Sequence, residues 1–142
     1  MRLTFLSTGI ILALVIVSLC AQQRFGDEYP RFKGFTKSET EHIMQEYEGT
    51  PEMRSVRGRI IEASSGVGIP EAIFEIRSEN PDDRVRGTKT NSKGEFRLRS
   101  IREGVYVFKV TKNGFQSVFG KLKICSKAQS GNVLKIELRQ GV

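Results

Sequence analysis

The sequence predicts an all-β protein, built as a sandwich of two small sheets. Two observations carry this prediction: from Arg54 onward short segments alternate between apolar and polar residues, and clusters of Gly, Asn, Pro and Ser separate them. The composition agrees, because 142 residues with 38% hydrophobic and 27% charged side chains fit one folded domain of ordinary size. A two-domain enzyme and a fully disordered chain are both excluded.

The alternating segments define about seven strands and the residues that face the core. In the second, for example, Ala72, Phe74 and Ile76 share one face. The predicted strands cover residues 54–63, 71–78, 84–90, 94–100, 105–112, 115–125 and 132–140. The remaining inward residues are Phe96, Leu98, Tyr106, Phe108, Val110, Leu134, Ile136 and Leu138.

An apolar run at the N-terminus predicts export. Residues 3–19 contain no charge and follow Arg2, which is the pattern of a secretory signal peptide over residues 1–21. Cleavage after Ala21 and cleavage after Cys20 are both compatible with it, and an uncleaved membrane anchor is the competing interpretation. Lipidation of Cys20 is a minority hypothesis, since Leu19 departs from the small residue that precedes a lipoprotein cysteine. The expected location is periplasmic, outer-membrane associated or extracellular.

Residues 22–54 lack strand alternation and are predicted to form a linker that contains one short helix at 38–48. Ser38 and Glu41 have the spacing of a capping box, and Gly49 supplies a helix stop. His42 lies on this segment without a ligand-type residue on the same face, so it is interpreted as a solvated histidine.

The β region also carries a family resemblance, through five motifs that occur in order. They are V-R-G-R-I at 56–60, G-I-P-E-A-I-F-E-I at 68–76, T-N-S-K-G-E-F at 90–96, G-V-Y-V-F-K-V at 104–110 and K-N-G-F at 112–115. Residues 55 to about 139 therefore resemble the carboxypeptidase regulatory-like domain, a transthyretin-like (Ig-like, prealbumin-like) β-sandwich, and the predicted domain covers residues 55–140. The resemblance implies a seven-stranded scaffold and brings no catalytic residue with it. One departure is Asn91, where the family most often has Asp; Asn forms the same turn but is a weaker cation ligand.

The residue inventory gives no catalytic residue, no metal site and no cofactor. Zinc carboxypeptidase chemistry needs a His-x-x-Glu pair, a second histidine and a larger domain, and His42 is the only histidine. A small hydrolase of the transthyretin-like fold is the alternative function, and the lack of a histidine after His42 disfavours it. Cys125 has no histidine in its domain to activate it, so it is expected to be a semi-buried apolar residue.

The net charge of +7 indicates the kind of partner. Strand alternation places Arg57, Arg59, Arg97 and Arg99 opposite the core residues, and if the two pairs share a sheet they form a basic binding face. Candidate partners are an anionic glycan, a lipid surface or another protein; the alternative is a face that only keeps the strands soluble. No nucleic acid is expected, and membrane contact is expected only through the signal anchor or a lipid. The other basic residues expected to point outward are Lys109, Lys121, Lys123, Lys135 and Arg139. The predicted function is a non-catalytic module for binding or structural support at a bacterial cell envelope.

Overall fold

A computed structural model describes residues 32–39 and 43–141, which belong to one compact unit. The predicted signal peptide and Cys20 lie outside the described residues. The described residues contain strands and no α-helix, which confirms the all-β prediction. The strands are β1 (Met44–Glu46), β2 (Glu52–Met53), β3 (Val56–Glu62), β4 (Ile73–Ser78), β5 (Arg86–Lys89), β6 (Glu95–Leu98), β7 (Gly104–Thr111), β8 (Ser117–Ile124) and β9 (Leu134–Leu138). Strands β3 to β9 correspond to the seven predicted from alternation.

The strands form two sheets that pack face to face. The larger sheet has the order β1-β8-β7-β4-β5, with β2 also paired to β8, and the smaller sheet has the order β6-β3-β9. Most neighbours are antiparallel, whereas β3 with β9 and both β1 and β2 with β8 are parallel. Because β3 is central in the smaller sheet, side chains of β6 and β9 flank those of β3 on both of its faces.

The core between the sheets is formed by the predicted inward residues. Phe74 stacks on Phe96 of the opposite sheet, with ring centroids 4.1 Å apart, and on Phe108 at 5.7 Å. Tyr106 is half-buried at the core margin, and the other predicted inward residues are all buried. The alternation therefore placed the core correctly.

Asn91 and Gly94 build the hairpin turn before β6. The Asn91 side-chain oxygen accepts hydrogen bonds from the backbone N–H groups of Lys93 (3.0 Å) and Glu95 (2.9 Å), as the Asx-turn interpretation predicted. Gly94 has a φ of 77°, and a Cβ there would lie 2.4 Å from the Ile60 carbonyl oxygen. Only glycine fits this close approach.

The helix predicted at 38–48 is wrong over its C-terminal part, where β1 forms; residues 40–42 lie outside the described residues. A helix of about three turns is marginal by itself, whereas a strand along the edge of β8 completes a backbone ladder. β1 and the residue after it, Tyr47, contribute side chains to both faces of the larger sheet. Met44 packs with the outer cluster of Phe32 and Phe119, while Tyr47 contacts the core residue Phe108 edge-on.

The predicted linker is also corrected over its described residues, because residues 32–39 lie on the outer face of the larger sheet. We call this segment the strap. Its Phe32 and Phe35 are buried with Val107 and Phe119. Thr36 donates through its backbone N–H (2.9 Å) and its hydroxyl (2.8 Å) to the two carboxylate oxygens of Glu75.

Lys109, expected to point into solvent, is instead fully buried beneath the strap. Its ammonium donates a 2.7 Å hydrogen bond to the Thr36 carbonyl oxygen and lies 5.6 Å from the Phe32 ring centroid. Its cross-strand neighbour is Glu75 of β4. Arg77, also on β4, donates a 2.6 Å hydrogen bond to the Lys33 carbonyl oxygen of the strap. Alternation assigned these residues to the outer face correctly, but it does not show that a distant segment covers that face.

Candidate functional site

Three of the four predicted arginines, Arg57, Arg59 and Arg97, meet on the outer face of the smaller sheet. Arg57 of β3 lies directly opposite Arg97 of β6, so their Cβ atoms are about 5 Å apart. Arg59 is flanked by Glu95 on one side and by Lys135 of β9 on the other. We call Arg57, Arg59, Arg97 and Lys135 the basic face. Arg99, the fourth predicted residue, is exposed just past the end of β6.

The charge on this face is only partly compensated by the protein itself. Lys135 pairs with Glu137 at 3.4 Å, and the Arg59 guanidinium donates a 3.0 Å hydrogen bond to the Lys93 carbonyl oxygen. Among the described residues, Arg57 and Arg97 form no ion pair, and the buried Nε of Arg57 has no hydrogen-bond partner. Like charges directly opposite each other across a strand pair are destabilising. The opposed pair Arg57 and Arg97 therefore carries charge that no carboxylate of the described residues neutralises.

An open groove of about 690 Å³ runs beside the basic face and gives a ligand access to it. Its lining includes Gly58, where an added Cβ would lie 2.1 Å from the Leu134 carbonyl oxygen and 2.7 Å from the buried Phe96 ring, so only glycine fits there. The far wall comes from the larger sheet, through Lys89 and Glu71, which form an ion pair at 3.7 Å. These two residues were not predicted, because alternation does not show which strand edges of two sheets meet.

Two other predicted outward cations, Lys121 and Lys123, lie away from this face. Lys121 pairs with Glu79 at 2.7 Å and Lys123 with Glu52 at 3.2 Å, both on the larger sheet. The hydrogen bond from Lys123 to Glu52 raises the pKa of the lysine. These lysines are exposed but locally neutralised, unlike Arg57 and Arg97 on the smaller sheet.

A family model matches residues 55–138, and its description is carboxypeptidase regulatory-like domain. The chain belongs to this family. The family resemblance predicted from the five motifs is thereby confirmed, together with the sandwich that it implied. Regulatory-like domains of this family are non-catalytic.

Two further comparisons add no functional information. No curated protein matches the chain at a significant level. Among solved structures, 3-chlorocatechol 1,2-dioxygenase from Rhodococcus opacus 1CP is 14% identical over 89% of this chain and 78% of its own, with a TM-score of 0.47. A likeness of this degree supports no argument about the regulatory-like domain.

Within residues 32–39 and 43–141, no three His, Cys, Asp or Glu side chains are grouped so that they could hold a metal ion. The same residues contain no helix that is long and apolar enough to cross a membrane. Cys125 is half-buried, as predicted, and its backbone N–H donates to the Met53 carbonyl oxygen at 3.0 Å.

Proposed function

We propose that this regulatory-like domain is an exported, non-catalytic module that binds an anionic glycan at the bacterial cell envelope through its basic face. The observation that carries the proposal is the opposed pair Arg57 and Arg97, two uncompensated guanidinium groups in register beside an open groove. Arginine presents a rigid fork of donors that matches carboxylate and sulfate groups. A rigid sheet holds these forks at fixed spacing, which suits a repeating anionic polymer.

A glycan is favoured over a lipid surface because the groove has only one exposed large hydrophobic side chain for insertion. Three large hydrophobic side chains are exposed in the described part of the chain, namely Val67, Val105 and Val133, and only Val133 lines the groove. Peripheral proteins that insert into the membrane interface present a broad apolar surface beside their basic residues. The groove beside the basic face has a single exposed valine and no such broad apolar surface.

Heparin is a suitable probe for glycan binding, and the variant to compare is Arg57→Gln/Arg97→Gln. We expect wild-type protein to bind heparin at low salt and to lose affinity as the salt concentration approaches physiological strength. The double variant should bind heparin about tenfold more weakly than wild type. Lys112→Gln/Lys127→Gln removes the same charge from outside the groove and should bind like wild type.

Equal weakening in both variants would show that only net charge matters and would contradict a specific face. Binding to anionic vesicles but not to heparin would assign the face to lipid instead. Melting temperatures of both variants establish that the fold is intact.

Export is the second part of the proposal, and its basis is the apolar run at residues 3–19 preceded by Arg2. N-terminal sequencing of the mature protein should give a start near residues 20–22. Soluble protein that retains Met1 would contradict export. Labelling with a palmitate analogue, compared with Cys20→Ser, decides between cleavage and lipidation.

A further inference from the structure

A second concave site, separate from the basic face, lies where β4 and β5 meet the loop before β7. It is a pocket of about 280 Å³ that shares no lining residue with the groove of the basic face. We call it the arginine pocket. Its polar lining includes Arg77, Arg84, Arg86, Arg102, Asp83 and Tyr106.

Two hydrogen-bonding anchors fix the loop that forms one wall of this pocket. The Arg86 guanidinium donates at 2.8 Å to each of the carbonyl oxygens of Arg99 and Ser100, and the Tyr106 hydroxyl donates at 2.8 Å to that of Arg102. Ser100 has a φ of 59°, a conformation that non-glycine residues adopt only when their surroundings enforce it. The wall is therefore preorganised without a ligand.

The pocket carries excess positive charge that its own carboxylate does not neutralise. Asp83 accepts hydrogen bonds from the Ser78 hydroxyl and the Asn80 side-chain amide, so the turn that contains it holds it in place. In the described part of the chain, no carboxylate lies within ion-pair distance of Arg84, Arg86 or Arg102. Arg86 has five N–H donors and uses two of them on the loop, which leaves three.

From this arrangement we propose that the arginine pocket binds a phosphoryl group, either as inorganic phosphate or as the head of a small phosphate monoester. Several guanidinium groups lining one small pocket supply the charge and the donors that a dianionic oxyanion needs. The volume lies below the usual range for drug-sized ligands, so the site takes a compact head group rather than a polymer.

Asp83 gives the pocket a means of selecting phosphate over sulfate. A carboxylate accepts about four hydrogen bonds, so Asp83 retains capacity beyond those from Ser78 and Asn80. Hydrogenphosphate carries a hydroxyl that can donate to a carboxylate, whereas sulfate at neutral pH has none. The carboxylate therefore favours phosphate and repels sulfate.

The test is titration of the isotope-labelled protein with inorganic phosphate at constant ionic strength, followed through the amide signals of the loop at 100–102. We expect saturable shifts there, weaker ones with sulfate, and none with added chloride. Arg84→Gln/Arg102→Gln should weaken phosphate binding at least about tenfold, since each removes a charge-assisted hydrogen bond. Both anchors of the loop remain in this variant, because Arg102 contributes only its carbonyl oxygen to them.

Arg57→Gln/Arg97→Gln is the matched control, because it removes two arginines from the basic face and none from the arginine pocket. Unchanged phosphate binding in this control keeps the two sites separate. The proposal would be overturned if the phosphate-induced shifts persisted in Arg84→Gln/Arg102→Gln, vanished in the control, or were reproduced by chloride. Equal affinity for sulfate would overturn its assignment to phosphate.

Discussion

The outer faces of the two sheets start from the same kind of sequence and end in opposite environments. On the smaller sheet, Arg57, Arg97 and Lys135 alternate with core residues and remain on the surface beside an open groove. On the larger sheet, Glu75 and Lys109 alternate with core residues in the same way, yet both are buried. The strap makes the difference, because it covers only the larger sheet.

Covering a face changes what its charges do. Exposed ion pairs such as Lys135 with Glu137 are screened by solvent and contribute little to stability. Beneath the strap, water cannot solvate the ammonium of Lys109, so its bond to the Thr36 carbonyl oxygen and its neighbour Glu75 have to compensate. Charge on the covered face is thus structural, whereas charge on the open face is available for recognition.

The largest expected effect comes from Lys109→Ala, compared with Lys135→Ala on the open face. Removing Lys109 leaves the Thr36 carbonyl oxygen unpaired and Glu75 without its neighbouring cation, so we expect a loss of about 3 kcal/mol in unfolding free energy. Lys135→Ala should cost less than about 0.5 kcal/mol. Chemical denaturation of both variants measures the difference.

A third variant, Lys109→Met, keeps the apolar stem and removes the charge. The loss that persists in it measures the hydrogen bond and the charge, separately from packing. Equal stabilities of Lys109→Ala and Lys135→Ala would contradict the distinction between a covered and an open face.

An intermediate effect is expected from Thr36→Val, which keeps the shape of the side chain but removes its hydroxyl donor to Glu75. The cost should be about 1 to 2 kcal/mol, with faster amide exchange in the strap than in the core strands. Thr50→Val, at an exposed turn, is the matched control and should leave stability nearly unchanged. Uniform acceleration of exchange over both sheets would mean that the strap is not a separate cooperative unit.

The smallest expected effect concerns Glu103, an exposed residue in the loop before β7. Hydrogen bonds from the side chain and backbone of Ser126 lower the pKa of Glu103 from its usual value of 4.5. A lowered folded-state pKa means that the stabilisation is present above about 4.5 and is lost as pH falls through the folded value. Melting temperatures of wild type and Glu103→Gln should therefore differ slightly at pH 7 and converge in acid. A gap that widens in acid would contradict the lowered pKa.

The sequence by itself determined the seven strands of the sandwich, its core and its family. Period-two alternation sufficed because a strand sends successive side chains to opposite faces, so Phe74, Phe108 and Ile136 could be assigned to the core from spacing alone. The turn at Asn91 could be predicted from the sequence as well, because the Asn91 side chain accepts hydrogen bonds from backbone groups only two and four residues away. These features depend on neighbours in the chain.

Only the tertiary structure decided which polar faces are open. Alternation assigns a residue to a face but does not say what lies on that face, and Lys109 and Thr36 are 73 residues apart in sequence. The same limit explains β1, where pairing with the free edge of β8 prevailed over a local helix signal. The position of Arg57 opposite Arg97 likewise depends on the pairing of β3 with β6. Long-range pairing selects sheet neighbours, and the spacing of residues along one strand does not show it.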